Sequence, residues 1–238
     1  MATLLVSGDS WTSCWPLEER LGHRNFGWPN LVAKHFEFEL IDKSRSGSSN
    51  YRIYRKAFNG LLQDVDLVLV FLTSWVRFET GATFGPKPGG IYQHLPCDPE
   101  FKRAFDLFFN GYKNYTDMLR QIISLQAVAK TQKIPCFFLD TFSDNLYQNI
   151  TLDQFKNLLK YNIEIFDNID DQRIEDKFQV VKCLESAIDW SSFISHNSYS
   201  QLIQGCKLEK GHPVEDGHAK VAEVVINFLE SLNYGKTI

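Results

Sequence analysis

The chain has 238 residues, is 44% hydrophobic and 14% aromatic, and carries a formal net charge of -4. That is enough apolar material for one sizeable core in one domain, with room for insertions. The acidic balance speaks against an extended nucleic-acid surface, which needs a basic face. Cys14, Cys97, Cys136, Cys183 and Cys206, odd in number and without C-x-x-C spacing, speak against a disulfide framework and a zinc site.

Along the chain, short apolar runs predict buried strands at 3–7 ("TLLVS"), 38–42 ("FELID"), 66–72 ("DLVLVFL") and 134–140 ("IPCFFLD"). Helical patterns separate them. Ile53, Ala57 and Leu61 share one face, 100–131 is long enough for one or two helices, and Val221, Val224, Val225, Phe228 and Leu232 mark a terminal amphipathic helix. Such alternation predicts an α/β fold, a parallel sheet covered on both faces, with ligands at the carboxyl ends of its strands. Two segments interrupt the pattern: a Gly/Pro-rich loop at about 79–100 and a mostly helical insertion at about 143–206. The acidic stretch "DNIDDQRIED" lacks the glycine and ligand spacing of a calcium loop. No basic segment precedes a long apolar stretch, and the longest apolar run is shorter than the ~20 residues a bilayer requires. A soluble protein, cytoplasmic where synthesised, with no membrane and no nucleic-acid partner, is the expectation. The sequons at Asn114 and Asn149 then read as chance matches.

The unusual residues follow the strands. "GDS" follows the first, "KSRSGSSN" the second and "TSWVRFE" the third, while "LEKGHPVEDGH" precedes the last helix. Serine hydrolysis needs a hydroxyl nucleophile, an imidazole base, a carboxylate to orient it and donors for the oxyanion. Ser10 fits the first role and His212 the second, with Pro213 expected in the first turn of the terminal helix. Glu209, three residues before His212, fits the third. The amides of Ser10 and Gly47 fit the fourth, completed by a donor at the end of the third strand. No Walker motif is present, and no G-x-G-x-x-G follows the first strand.

These blocks resemble the SGNH hydrolase superfamily, the GDSL esterases and lipases. Gly8-Asp9-Ser10 matches its first block, Gly47 in "SRSGSSN" its second, and Glu209 with His212-Pro213 its last. The combination is also similar to phage-encoded and marine-microbial members, for which a virion-associated location would follow. The resemblance implies a flavodoxin-like three-layer α/β/α sandwich and an esterase acting through an acyl-enzyme on Ser10. Its implied substrate is a small-molecule or carbohydrate ester, an O-acetylated carbohydrate first, with no metal or organic cofactor. A binding or structural module without turnover, or an O-acyltransferase, are the alternatives.

Two departures stand out. The family's third block carries an oxyanion Asn, where this chain has "LTSW". Ser74 stands at that position with Thr73 beside it, so Ser74, Thr73 or Asn50 would have to donate. Glu209 replaces the usual Asp, which leaves Asp216 open as the acid, or a dyad. Asp9, Trp11, Asn50, Trp75, Arg77 and Glu79 are candidate substrate contacts. For Trp11, Trp15 and Trp75 the competing role is core packing, for Asn50 a helix cap, and for Arg77 with Glu79 a surface pair. His218 reads as structural. His23, His35 and His196 read as ordinary, and His94 as a possible substrate contact on the loop.

Overall fold

Leu4, Leu5 and Val6 are buried in the first strand, β1 (Thr3–Ser7), because helices cover both faces of the sheet. The computed structural model describes residues 1–14, 20–22, 25–75, 77, 110–142, 148–160 and 171–234. The stretch 79–100, with Glu79, His94 and Cys97, lies outside the described residues, as do Trp15 and His23.

The chain continues through α1 (Trp28–Phe36), β2 (Glu39–Asp42), α2 (Asn50–Leu61), β3 (Leu67–Leu72), α3 (Gly111–Gln132) and β4 (Cys136–Asp140). Then come α4 (Leu152–Lys160), α5 (Asp171–Ser186), a 3-10 turn (Trp190–Ser192) and the short α6 (Tyr199–Leu202). A hairpin of β5 (Leu208–Glu209) and β6 (His212–Pro213) leads into α7 (Glu215–Ser231). The main sheet has the order β2-β1-β3-β4, parallel throughout. Phe193 and Ile194 add a short parallel bridge beyond β4, where the Ile194 amide donates to the Phe138 carbonyl at 2.8 Å. The predicted strands are all present. The helix at Trp28–Phe36 was not anticipated, although a Pro in its first turn and the left-handed Glu37 at its end are ordinary boundary signals.

Successive residues of β3 feed opposite layers. Val68, Val70 and Leu72 pack with α2 and α3, whereas Leu67, Leu69 and Phe71 pack with α1 and α7. Because β1 and β3 are neighbours whose following helices lie on opposite faces, a crevice opens at their carboxyl ends. No helix among the described residues is long and apolar enough to cross a membrane.

α1 and α7 are joined by a polar contact inside the apolar layer. His218, wholly buried on α7, accepts the Trp28 amide at 3.3 Å and meets the Tyr199 hydroxyl at 3.1 Å, both through Nδ1. Accepting at Nδ1 requires the neutral ring. Burial, aided by nearby His212, pushes the His218 pKa down from 6.5 to about 4. The unfolded chain therefore binds a proton near pH 6.5 that the folded one refuses until about pH 4, so stability is present above pH 6.5 and falls as pH drops through that window. The expected loss is about 3 kcal/mol. Urea unfolding of wild type and His218→Gln checks this: the stability gap between them should shrink steadily from pH 7 to pH 4.

Candidate active site

β1 ends at Ser7, and the chain turns at once, with the Thr12 and Ser13 amides donating to the Asp9 carbonyl at 3.2 and 2.9 Å. The turn leaves Ser10 at the sheet edge. Its Oγ lies 2.8 Å from Nε2 of His212. Two side chains separated by 202 positions thus meet as nucleophile and base would.

His212 does not open the terminal helix, as Pro213 suggested. It sits in β6, in antiparallel register with Glu209, and α7 begins only at Glu215. Lys210 and Gly211, both in the left-handed region (φ 50° and 74°), form the tight turn between the two strands. Two contacts brace this hairpin against α7. Asp216 accepts the Lys207 amide at 2.9 Å and the Gly217 amide at 2.8 Å, and these hydrogen bonds hold its carboxyl below the usual range. Gly217 lies so close to β6 that a Cβ there would stand 2.8 Å from Pro213 Cβ.

The far ring nitrogen meets a different group from the one the sequence suggested. Nδ1 of His212 lies 2.9 Å from the Lys210 carbonyl. The Glu209 carboxylate instead meets the Arg20 guanidinium at 3.3 Å, and the same guanidinium pairs with Glu215. Asp216, the other acid considered, is spent on the two backbone amides. The tight turn brings a main-chain oxygen back under the ring.

The candidate oxyanion donors divide. Ser10, Gly47 and Ser74 all lie at the sheet edge, Gly47 with a φ of 76° in the turn between β2 and α2. Thr73 has both donors committed: its amide goes to Asn50 Oδ1 at 2.8 Å and its hydroxyl to Asp9 Oδ2 at 2.7 Å. It is therefore not an oxyanion donor. Asn50 returns a bond from Nδ2 to the Thr73 carbonyl at 2.8 Å, and Ser49, not Asn50, caps α2. Asn50 docks the end of β3 onto α2; it is not directed at a ligand.

Asp9 and Arg77 are likewise corrected from substrate contacts to framework. Nη1 of Arg77 lies 2.8 Å from Oδ2 of Asp9, with side-chain exposures of 8% and 0%. Asp9 also accepts the Trp11 amide at 2.9 Å. Burial this deep makes the carboxylate a fixed anchor, and the Arg77 guanidinium lies 5.7 Å over the Phe142 ring. Trp75 is core: 4% exposed, edge-on to Tyr115. Trp11 does border the site, half-buried between Phe142, Tyr199 and the His212 ring at 6.4 Å. Lys210, Arg20, Phe142 and Tyr199 were missed. A Lys-Gly pair before a His was the one available signal for the hairpin, and a weak one beside Asn-Gly.

No protein-family model and no curated protein matches the chain. Solved structures do. TesA matches with a TM-score of 0.52 at 16% identity, covering 97% of this chain and 99% of that one. The psychrotrophic esterase EstA from Pseudoalteromonas sp. matches with 0.52 at 13% identity, covering 98% and 99%. A G-D-S-L family protein from Desulfitobacterium hafniense DCB-2 matches with 0.50 at 13% identity, covering 96% and 99%. The chain has the fold of these proteins, the flavodoxin-like α/β arrangement of SGNH hydrolases.

Removing Arg77 would leave a carboxylate charged and without its ion-pair partner in a dry site, which costs roughly 3 kcal/mol or more. Urea denaturation should show Arg77→Met destabilised by about that amount. Adding Asp9→Asn should return part of the loss, because the charge that needed compensation is gone.

Proposed function

We propose that this chain is a serine esterase. The observation that carries the reading is the 2.8 Å contact between Ser10 Oγ and His212 Nε2, at the carboxyl edge of the parallel sheet. In the proposed reaction Ser10 attacks the ester carbonyl while His212 takes its proton. The alcohol leaves with that proton, and water then cleaves the acyl-enzyme with His212 again as base. The amides of Ser10 and Gly47, with Ser74, would hold the oxyanion, and a hydroxyl at Ser74 replaces the stiffer amide of an Asn. The Lys210 carbonyl would fix the ring, and Glu209 would act through its field from the neighbouring strand.

EstA, described as an esterase inhibited by monoethylphosphonate, supports both the reaction class and the choice of probe. An O-acetylated carbohydrate is the preferred substrate, supported by the half-buried aromatic rings of Trp11 and Phe142 beside the pair. A binding module without turnover is the second reading. The Arg20–Glu209 contact favours it, since it draws the acid toward a cation and off the ring.

A fluorophosphonate probe should label Ser10, located by peptide mass spectrometry, and labelling should vanish in Ser10→Ala. A folded wild type that takes no label refutes the esterase. On p-nitrophenyl acetate, His212→Ala should lower kcat by at least roughly 10³-fold. Glu209→Gln should cost less than about tenfold, far below the ~10⁴ seen when a triad acid that holds the imidazole directly is neutralised.

A further inference from the structure

We infer that a separate pocket beyond β4 is a subsite for one neutral saccharide ring. It has a volume of ≈ 140 Å³ and is lined by Trp190, Phe193, Asp140, Gln148, His196 and Gln201 among others. That is close to the ~150 Å³ cavity that takes up one benzene ring, and because this pocket is open to solvent the hydroxyls of a sugar ring can extend beyond it.

Its chemistry is divided. One wall is aromatic. Trp190 and Phe193 lie 5.1 Å apart, Phe193 stacks on buried Phe138 at 5.4 Å, and the Trp190 indole is pinned through Nε1 to the Glu185 carbonyl at 3.3 Å. The wall is preorganised. The rest is polar and planar. Among the described residues the exposed side chains of Gln148 and His196 take no hydrogen bond, and Gln201 uses only its Oε1, which accepts the Ser198 amide at 2.8 Å and the Ser198 hydroxyl at 3.2 Å. Apolar ring faces with a circle of amide, imidazole and carboxylate groups match a sugar, whose C–H face stacks and whose hydroxyls donate and accept. An acyl chain would strand these polar groups. Among the described residues no Lys or Arg lines the pocket, which disfavours phosphate or an acidic sugar.

The position fits the chemistry. Asp140 ends β4, and Ser195 and His196 follow the Phe193 bridge, so the pocket opens at the same sheet edge as Ser10. β4 is two strand spacings from β1, about 10 Å. Ser198 and Gln201 belong to the capping box of α6, whose Tyr199 packs on Trp11, which lies against His212. A line of packed side chains, running through buried Tyr199, thus links the pair to the pocket. The role assigned here, holding a ring of the glycan that carries the ester, rests on the esterase reading; the ligand assignment does not.

The test uses the full chain and two readouts. Calorimetric titration of Ser10→Ala with xylotetraose, cellotetraose and chitotetraose should give saturable binding of at least one. The added pair Gln148→Ala and His196→Ala, both at exposed positions, should weaken it about tenfold. In the Ser10 protein the same pair should raise KM for partially acetylated xylotetraose and leave p-nitrophenyl acetate turnover within about twofold. No saturable binding at millimolar concentrations overturns the subsite, as does binding indifferent to the pair. Tighter binding of adenosine, lost in the pair, also overturns the saccharide assignment. Saccharide binding that depends on the pair, in a wild type that hydrolyses no ester, sinks the esterase and keeps the subsite.

Discussion

The site depends on one buried charge. Asp9 sits immediately before the proposed nucleophile with no exposed side-chain surface, and a carboxylate there is tolerable only if every side of it is answered. Arg77 and Thr73 arrive from the end of β3, the Trp11 amide from the turn itself, and Arg77 reaches on toward the Ser48 carbonyl. Three segments that carry Ser10, Gly47 and Ser74 are thereby drawn onto a common point. The arrangement contributes little to net stability relative to an apolar substitute, because desolvation consumes most of the Coulombic gain. What it supplies is geometry. The turn after β1 cannot shift without uncovering a charge.

This framework explains which parts of the sequence were readable. The strands were legible because both faces are covered, so residues 67–72 form an unbroken apolar run. The approach of Ser10 to His212 and the turn at Gly47 were legible because their blocks come in a fixed order with distinctive short motifs. The roles of Asp9, Arg77 and Trp75 were not. A polar residue beside a nucleophile looks the same in sequence whether it faces a ligand or a neighbouring loop, and only burial separates the two. The placement of His212 failed for a different reason. Pro213 satisfies the backbone of a first helical turn and of a short edge strand equally well, and a left-handed Lys210 cannot be inferred from lysine.

The hairpin that carries His212 also changes how the imidazole is held. A main-chain carbonyl orients the ring and fixes its tautomer as a carboxylate would, but without a full negative charge beneath it. In the proposed reaction, less stabilisation of a forming imidazolium follows. Glu209, directly across the hairpin yet bound to Arg20, modulates that field from the next strand. The environment of the imidazole is therefore set by how the turn, α7 and Arg20 pack together, and no single side chain controls it.

The 202-residue separation of Ser10 and His212 has a consequence in time. During synthesis, β1 and its turn emerge before β2, β3 and β4, which follow in chain order. The hydroxyl meanwhile stays an ordinary serine, since its partner is made 202 positions later. Only when α7 docks on α1 and draws the hairpin onto the sheet edge does the pair close. A chain cut off before His212 thus lacks the pair, and with it the reaction proposed for Ser10.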